Sequence, residues 1–467
     1  MYTDGRRAWD VRIALIGGAA DGRALPLMGD LSLEESVAGT VALWDTDAAG
    51  CARAAALGAR MRREPGAAGR FAFTACRSQA EALDGADFVC AFGRAPSPRE
   101  LESDLHAPEL CGVYQGAGDA AGPGGLMRAL RMGPALERLA LDVKARCPRA
   151  FVLLLCDPVA HGLRAMYAAY PQIRALGLTA DVPDALALLC RALYEMRGVA
   201  GARAREVVYA AAGVSRFCCI TRAAWHDVDL MGVWQDFARK FAVSGYAEGQ
   251  EDAWLSDPSA CARRVQLDLS LRLGTLPAGE DRRLADFLPS TRYLRTPECA
   301  LEWKFGRTGA AFHRERRRAF DAHAARLLSG EESASPAPSG GPAATALRAL
   351  CGLGDALVSA SLPNAGQIEN APRQAVVETP VLLRAGSAVP LMAGPLAPPL
   401  SALLAPAFAA QEGVLAALRT RDAQQAVSAF LGDPMLCRVP ERAALKLMRT
   451  MLQDCAESLR GWNLEVR

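Results

Sequence analysis

The first 47 residues hold a turn suited to close approach by a phosphate. An apolar, β-branched run (Val11, Ile13, Leu15, Ile16) leads into Gly17-Gly18-Ala19-Ala20, and a second apolar run, Val41 to Trp44, ends on Asp45. In a strand–turn–helix–strand unit, a small-residue turn lets backbone N–H groups reach a pyrophosphate, and the terminal acid hydrogen-bonds an adenosine ribose. The pattern predicts a dinucleotide site formed by Gly17, Gly18, Ala19, Ala20 and Asp45. The full GxGxxG is absent, with Gly22 near the third glycine position but off its spacing, so an ordinary buried βα unit is the competing reading.

Two further aspartates are candidates for a site. Asp157 follows the apolar run Phe151 to Cys156 and precedes Pro158. This is the carboxyl end of a strand, the usual place for a site in an open α/β sheet, and equally a common turn position. Asp181, in TADVP, opens a helical stretch and fits either a helix cap or a site acid. Cys156, Cys218 and Cys219 fall near the same strand ends. Without paired spacing they read as buried thiols rather than metal ligands.

The elements that must carry these residues alternate. Helix Ala48 to Arg63, strand Phe71 to Ala75, helix Ser78 to Leu83 and strand Phe88 to Phe92 continue the rhythm and predict a Rossmann-like, doubly wound parallel sheet. Arg94 to Gln115 breaks it. Gly122-Pro-Gly-Gly125 then opens a long helix, Leu126 to Arg146, which Pro134 is expected to kink. Those glycines suit a loop closing over a ligand as well as they suit a plain helix start. Val207 to Ala212 reads as a strand, and Trp225 to about Leu276 as amphipathic helix. Gly279 to Pro289 reads as a solvated helix start, and 306–327 as an exposed Arg-rich helix. The low-complexity stretch 328–345 predicts a mobile loop. Ala346 to Ser359 reads as helix, Ala375 to Leu383 as strand, and Pro399 onward as helix, with Pro440 opening the last one. The expected division is 1–200 for nucleotide binding and 201–467 for an α+β substrate and oligomerisation domain.

Composition narrows the partners. A formal charge of +2, from 53 basic and 51 acidic residues, provides no long-range field for nucleic acid or an anionic membrane, so neither is expected as a partner. The apolar run after the basic N-terminus is short, carries Arg12 and flows into the glycine turn, which does not fit a leader peptide. No stretch reads as a membrane span. Fourteen cysteines without CxxC pairs fit reduced thiols, and the expected location is the cytoplasm.

Several pieces together resemble one family, the NAD-dependent glycoside hydrolases of family 4, relatives of the lactate and malate dehydrogenases. They are IALIGG with VALWDTD, GADFV, GVYQ to GPGG leading into LMRALR, CDPV in place of TNPxx, and GEDRRLADFLP in place of GDRHxxEFxP. The last is ASLPNAGQIENAPRQAVVETPVLL, similar to NNGxIxNLPxxAVVExP through Asn364, Gly366, Ile368, Asn370, Pro372, Val376, Val377, Glu378 and Pro380. The resemblance implies a lactate/malate dehydrogenase-type fold, NAD as cofactor with Gln115 beside it, a small-molecule glycoside substrate, and a homodimer or homotetramer. It also implies a route in which the sugar is oxidised at C3, loses its C2 proton and eliminates its C1 substituent, instead of the usual two-carboxylate scheme.

Carried over by position, the resemblance puts a leaving-group acid at Asp181, a base at Asp281, and substrate contacts at Asp157, Arg282 and Arg283. It also exposes a gap. The family's metal-binding Cys falls at Ala180 and its metal-binding His at Arg216, with the neighbouring Asn replaced by Ser215. Alanine has no ligand atom and a guanidinium stays protonated, so no metal ligand is expected and Mn2+ is doubtful. Arg216 could instead carry the missing positive charge as a catalytic cation. The basic set Arg216, Arg222, Arg282 and Arg283 suits an anionic sugar. Two alternatives stand beside this reading: a degenerate homologue that binds NAD or sugar without hydrolysis, and a hydroxy-acid or sugar dehydrogenase, for which His226-Asp227 is the nearest catalytic pair.

Overall fold

The computed structural model describes residues 1–249 and 252–467. The β-branched runs pair as six parallel strands in the order Arg70–Ala75, Val37–Trp44, Ala8–Ile16, Phe88–Ala91, Phe151–Leu154 and Arg174–Gly177. Phe88–Ala91 and Phe151–Leu154 are buried at every residue. That is the signature of a parallel strand covered by helices on both faces. The sheet continues as antiparallel strands through Ala356–Pro363, Val376–Arg384, Val208–Val214 and Phe217–Trp225. The hairpin Ala356–Arg384 joins the two halves, with Ser361 opposite Gly177 on one side and Glu378 opposite Gly213 on the other. A single sheet therefore runs through the expected boundary at residue 200.

Three expectations need correcting. Ala346 to Ser359 is not one helix: the helix Pro342–Leu350 stops before Gly352 and Gly354, both at positive φ, and a strand begins at Ala356. Glycine in the left-handed region ends a helix without steric cost. The stretch from Trp225 to about Leu276 is not helix throughout: Trp225 ends the strand Phe217–Trp225, Val228–Asp229 is a short strand, and helix begins at Leu230. Gly279 to Pro289 is not a solvated helix start, since Asp281, Arg282, Leu284, Ala285 and Asp286 of the helix Asp281–Asp286 are all buried. Pro134 is accommodated within an unbroken helix, Gly122–Arg146.

Two surface features also differ from expectation. The low-complexity stretch lies along the first half of the chain, where Ser339 N donates to Asp30 Oδ1 at 2.7 Å and Ser333 Oγ to Glu64 Oε2 at 2.8 Å. One described helix, Pro398–Thr420, is long and apolar enough by length and composition to cross a membrane. In the fold it packs against the helices Gly122–Arg146 and Val159–Ala169, which accounts for its apolar face.

Candidate active site

The glycine turn is tight for a definable reason. Gly17 and Gly18 have φ of +76° and +72°, and a Cβ on Gly17 would fall 2.6 Å from the Gly93 carbonyl oxygen, one on Gly18 2.7 Å from the Phe92 side chain. The turn thus lies against the end of the neighbouring strand with no room for a side chain, leaving its backbone as the surface. Asp45, at the end of the next strand, accepts from Ala20 N at 3.2 Å and so ties the two strand ends together. Phe320, on the Arg-rich helix Ala310–Ser329, packs over Gly22. These features fit a dinucleotide. Gln115 does not belong with them: its Oε1 accepts from Gly124 N at 2.9 Å and its Nε2 donates to the Asp104 carbonyl, so the buried amide braces the start of the long helix. Gly18→Ala is expected to lower stability by more than the roughly 1–2 kcal/mol cost of placing a Cβ in the left-handed region, because that Cβ also meets the Phe92 side chain. It should also weaken the rise in Tm on adding NAD, and an unchanged NAD-dependent Tm would count against the turn as the cofactor cradle.

Three strands deliver the charged centre. Asp157 follows Phe151–Leu154, Asp181 follows Arg174–Gly177, and Arg216 stands in the two-residue turn between Val208–Val214 and Phe217–Trp225. Arg216 has φ of +71°, an unfavourable backbone for a side-chain-bearing residue and one that recurs at functional sites. Its Nε donates to Asp157 Oδ1 at 3.0 Å, its Nη2 to Asp157 Oδ2 at 2.6 Å, and its Nη1 to Asp181 Oδ1 at 2.9 Å. A guanidinium has five N–H donors, so one hydrogen on each terminal nitrogen is left over. Among the described residues, Asp181 Oδ2 is buried without a hydrogen-bond partner. Burial pushes the Asp181 carboxyl up from its ordinary value against the opposing pull of Arg216 and Arg283.

A second layer fixes this centre. Arg283 joins it: its Nη2 donates to Asp119 Oδ2 at 2.8 Å and its Nη1 to Glu280 Oε2 at 2.9 Å. Burial raises the Asp119 carboxyl, but Arg283, Arg128 and Arg216 outweigh it and hold the group well below the usual range. From beneath, Glu378 on Val376–Arg384 accepts from Ser359 Oγ at 2.9 Å, while its Oε2 has no partner among the described residues. Burial, with the negative charge of Asp181 nearby, raises it to about 8.

Other expected site residues serve the scaffold. Asp281 accepts from Val265 N at 3.2 Å and Gln266 N at 3.0 Å, so its carboxylate caps the helix Arg264–Leu273 and is not free to act as the base. Arg282 is spent on the carbonyls of Pro258 and Ser259 and an ion pair with Glu280. Arg222 is exposed. His226 and Asp227 are exposed at a strand turn, away from these strand ends. Sequence reasoning missed Asp119 and Asp286. The latter accepts from the N–H groups of Gly116, Ala117 and Gly118 and so fixes the loop leading to Asp119. Long-range contacts of this kind leave no local signal in sequence.

The residues present do not suit the Mn2+ ion implied by the resemblance. Ala180 offers no donor and Arg216 places a cation between the two carboxylates. Among the described residues no group of three or more His, Cys, Asp or Glu is arranged to hold a metal. Cys156 and Cys218 are buried thiols whose pKa is raised by desolvation.

The same chain matches two family models: family 4 glycosyl hydrolase over residues 12–193, and the family 4 glycosyl hydrolase C-terminal domain over 211–436. It is 36% identical over 464 residues to an alpha-galacturonidase of Thermoanaerobacterium saccharolyticum, covering 99% of both chains. It is 33% identical over 448 residues to one of Bacillus subtilis, covering 96% of this chain and 98% of that one. Among solved structures it is similar to the putative glucosidase lplD of Bacillus subtilis, with a TM-score of 0.89 and 32% identity over 95% of this chain and 100% of that one. A 6-phospho-alpha-glucosidase from gut microorganisms, solved with NAD and Mn2+, shares the fold at 17% identity and a TM-score of 0.78, covering 99% of this chain and all of that one. By sequence over nearly its whole length and by fold, the chain belongs to family 4 of the glycosyl hydrolases.

Proposed function

We propose that this protein is an NAD-dependent glycosidase that cleaves α-linked glycosides of a uronic acid, with Arg216 standing where the family keeps a metal ion. The substrate class rests on the full-length similarity to alpha-galacturonidases. The role of Arg216 rests on a single observation, the guanidinium clamped between Asp157 and Asp181 with donors left over.

Bound NAD would supply the oxidation of the sugar at C3 that makes its C2 proton acidic. Around that chemistry the chain's own residues bind, orient and protonate. Gly17, Gly18 and Asp45 seat the dinucleotide. Asp157 holds Arg216 in place, and the free N–H groups of Arg216 donate to the sugar oxygens as negative charge builds there, the arrangement in which fixed donors contribute most. Asp181, whose carboxyl burial raises from its ordinary value, acts as general acid. As the C1–O bond breaks, the leaving oxygen takes the Asp181 proton and departs as an alcohol, leaving Asp181 as a carboxylate. Arg283 and Asp119 hold the surroundings of Arg216. As elsewhere in the family, a homo-oligomer is the expected assembly.

The test is hydrolysis of an aryl α-galacturonide by the purified protein, with and without NAD and after treatment with EDTA. Turnover should require NAD and persist within about twofold after chelation. Activity abolished by EDTA and restored by Mn2+ would overturn the role given to Arg216. Failure to turn over any uronide, or to bind NAD, would favour a degenerate homologue.

A further inference from the structure

Next to Asp181, on a wall that the contacts around Arg216 do not use, lies a cavity of about 280 Å3. Its lining includes Asp181, Asp184, Trp254, Ser259, Arg263 and Glu280. That volume is close to the lower end of small-ligand pockets, roughly 300 Å3, which is room for one sugar ring and little more.

Two of the lining residues are held at a cost that the fold does not explain. Arg263 sits at φ of +56°, in the left-handed region, just before the helix Arg264–Leu273. It is partly buried, makes no ion pair among the described residues, and has a single long side-chain contact, Nη1 to Gln266 Oε1 at 3.5 Å. A strained backbone that places a half-buried, unpaired guanidinium on a cavity wall is a combination found at ligand sites rather than in scaffolds. Trp254 brings an indole whose Nε1 is buried without an acceptor among the described residues. Glu280 is already neutralised by Arg282 and Arg283. Asp184 is raised from its ordinary value by burial and by Asp181, and its carboxyl is a polar group on the cavity wall. An aromatic wall with scattered donors and acceptors suits a polyhydroxylated ring, and suits an alkyl group or a bare inorganic anion poorly.

Resting on the reading of Asp181 as the proton donor, we infer that this cavity is the leaving-group subsite and that it takes a sugar ring, gripped by Trp254 and Arg263. The donor then stands between the sugar that is oxidised, on the Arg216 side, and the sugar that departs. The substrate is accordingly a glycosyl uronide, cut between two sugars.

The experiment uses the full-length enzyme with NAD and two substrates of identical glycone: the α-linked di-uronide, and the α-galacturonosyl fluoride, whose departing fluoride fills no subsite. For both Trp254→Ala and Arg263→Ala, kcat/KM on the disaccharide should fall by roughly tenfold or more while that on the fluoride stays within about twofold, and Trp254→Phe should recover most of the loss. Equal losses on both substrates, or no loss on the disaccharide, would overturn the assignment. Titration of the free leaving-group sugar into the NAD-loaded protein reads the same subsite without turnover. Binding that Arg263→Ala weakens by roughly tenfold supports it, and binding that neither variant changes overturns it. Absence of turnover on both substrates with that binding intact would strike the catalytic reading and leave the subsite standing.

Discussion

Arg216→Ala is expected to lower kcat on a uronide by roughly 10²- to 10³-fold, the range for removing preorganised donors from a developing negative charge. It should also destabilise the fold by about 3–5 kcal/mol, because removing one partner of a buried pair leaves the others buried and uncompensated. Here two carboxylates, Asp157 and Asp181, would lose their shared cation. Arg216→Lys separates the two effects. An ammonium restores charge but cannot give two nitrogens to Asp157 and a third to Asp181 at once. It should recover much of the urea midpoint and little of the turnover. An alanine variant with an unchanged midpoint and kcat within about twofold of the parent would show that the guanidinium is idle.

Asp157 was open to sequence reasoning because the apolar run Phe151 to Cys156 marks the end of a strand, beyond which ligands gather. Asp181 and Arg216 were brought to the same place only through the family resemblance, since the short strand Arg174–Gly177 ahead of TADVP was not read in the sequence. The turn at Gly17-Gly18 was equally legible, since its glycines are required by positive φ and by the carbonyl of Gly93 close behind. In both cases the information is local: an apolar run, a break, and the next few residues.

What stayed hidden depended on distant partners. Ala356–Pro363 is rich in alanine and serine and has no strong period. It is a strand because all eight residues register against Val376–Leu383. Phe217–Trp225 is likewise fixed by its pairing with Val208–Val214 on one side and Leu276–Ala278 on the other. The error at Asp281 has the same origin. In a run of alternating charges it resembles a solvated acid or a catalytic one, and only the fold reveals the two N–H groups of the helix Arg264–Leu273 that it satisfies. Asp119 was missed because a carboxylate in a glycine-rich loop is common, and Asp286 because three backbone N–H groups converging on one aspartate are visible only in three dimensions.

Beneath the site, Glu378 sets a dependence of stability on pH. In the folded chain its carboxyl is raised to about 8 by burial and the proximity of Asp181. In the unfolded chain it should titrate near 4.3. Between those values the folded state binds a proton that the unfolded state does not, so the contribution of this group to stability falls as pH rises, and levels off above the folded pKa. At about 1.4 kcal/mol per pH unit, the loss between pH 5 and pH 8 is up to about 4 kcal/mol, an upper bound for a group with charged neighbours. Glu378→Gln removes the titration, and its amide can still accept the Ser359 hydroxyl hydrogen bond. Urea midpoints measured at pH 5, 6, 7 and 8 should therefore fall less steeply in the variant than in the parent, with the curves converging toward the acid end. Parallel curves would mean that Glu378 ionises normally and that its burial beneath Asp181 and Arg216 carries no proton. A steeper fall in the variant would reverse the sign of the argument. The same buried proton bears on catalysis, because a neutral Glu378 adds no further negative charge next to Asp181. If Glu378 were ionised, its repulsion would raise the Asp181 carboxyl still further and draw on the charge of Arg216. In the parent, the activity that depends on Asp181 is thus expected to change as pH passes the Glu378 value, and in Glu378→Gln that change should disappear while the limb set by Asp181 itself remains.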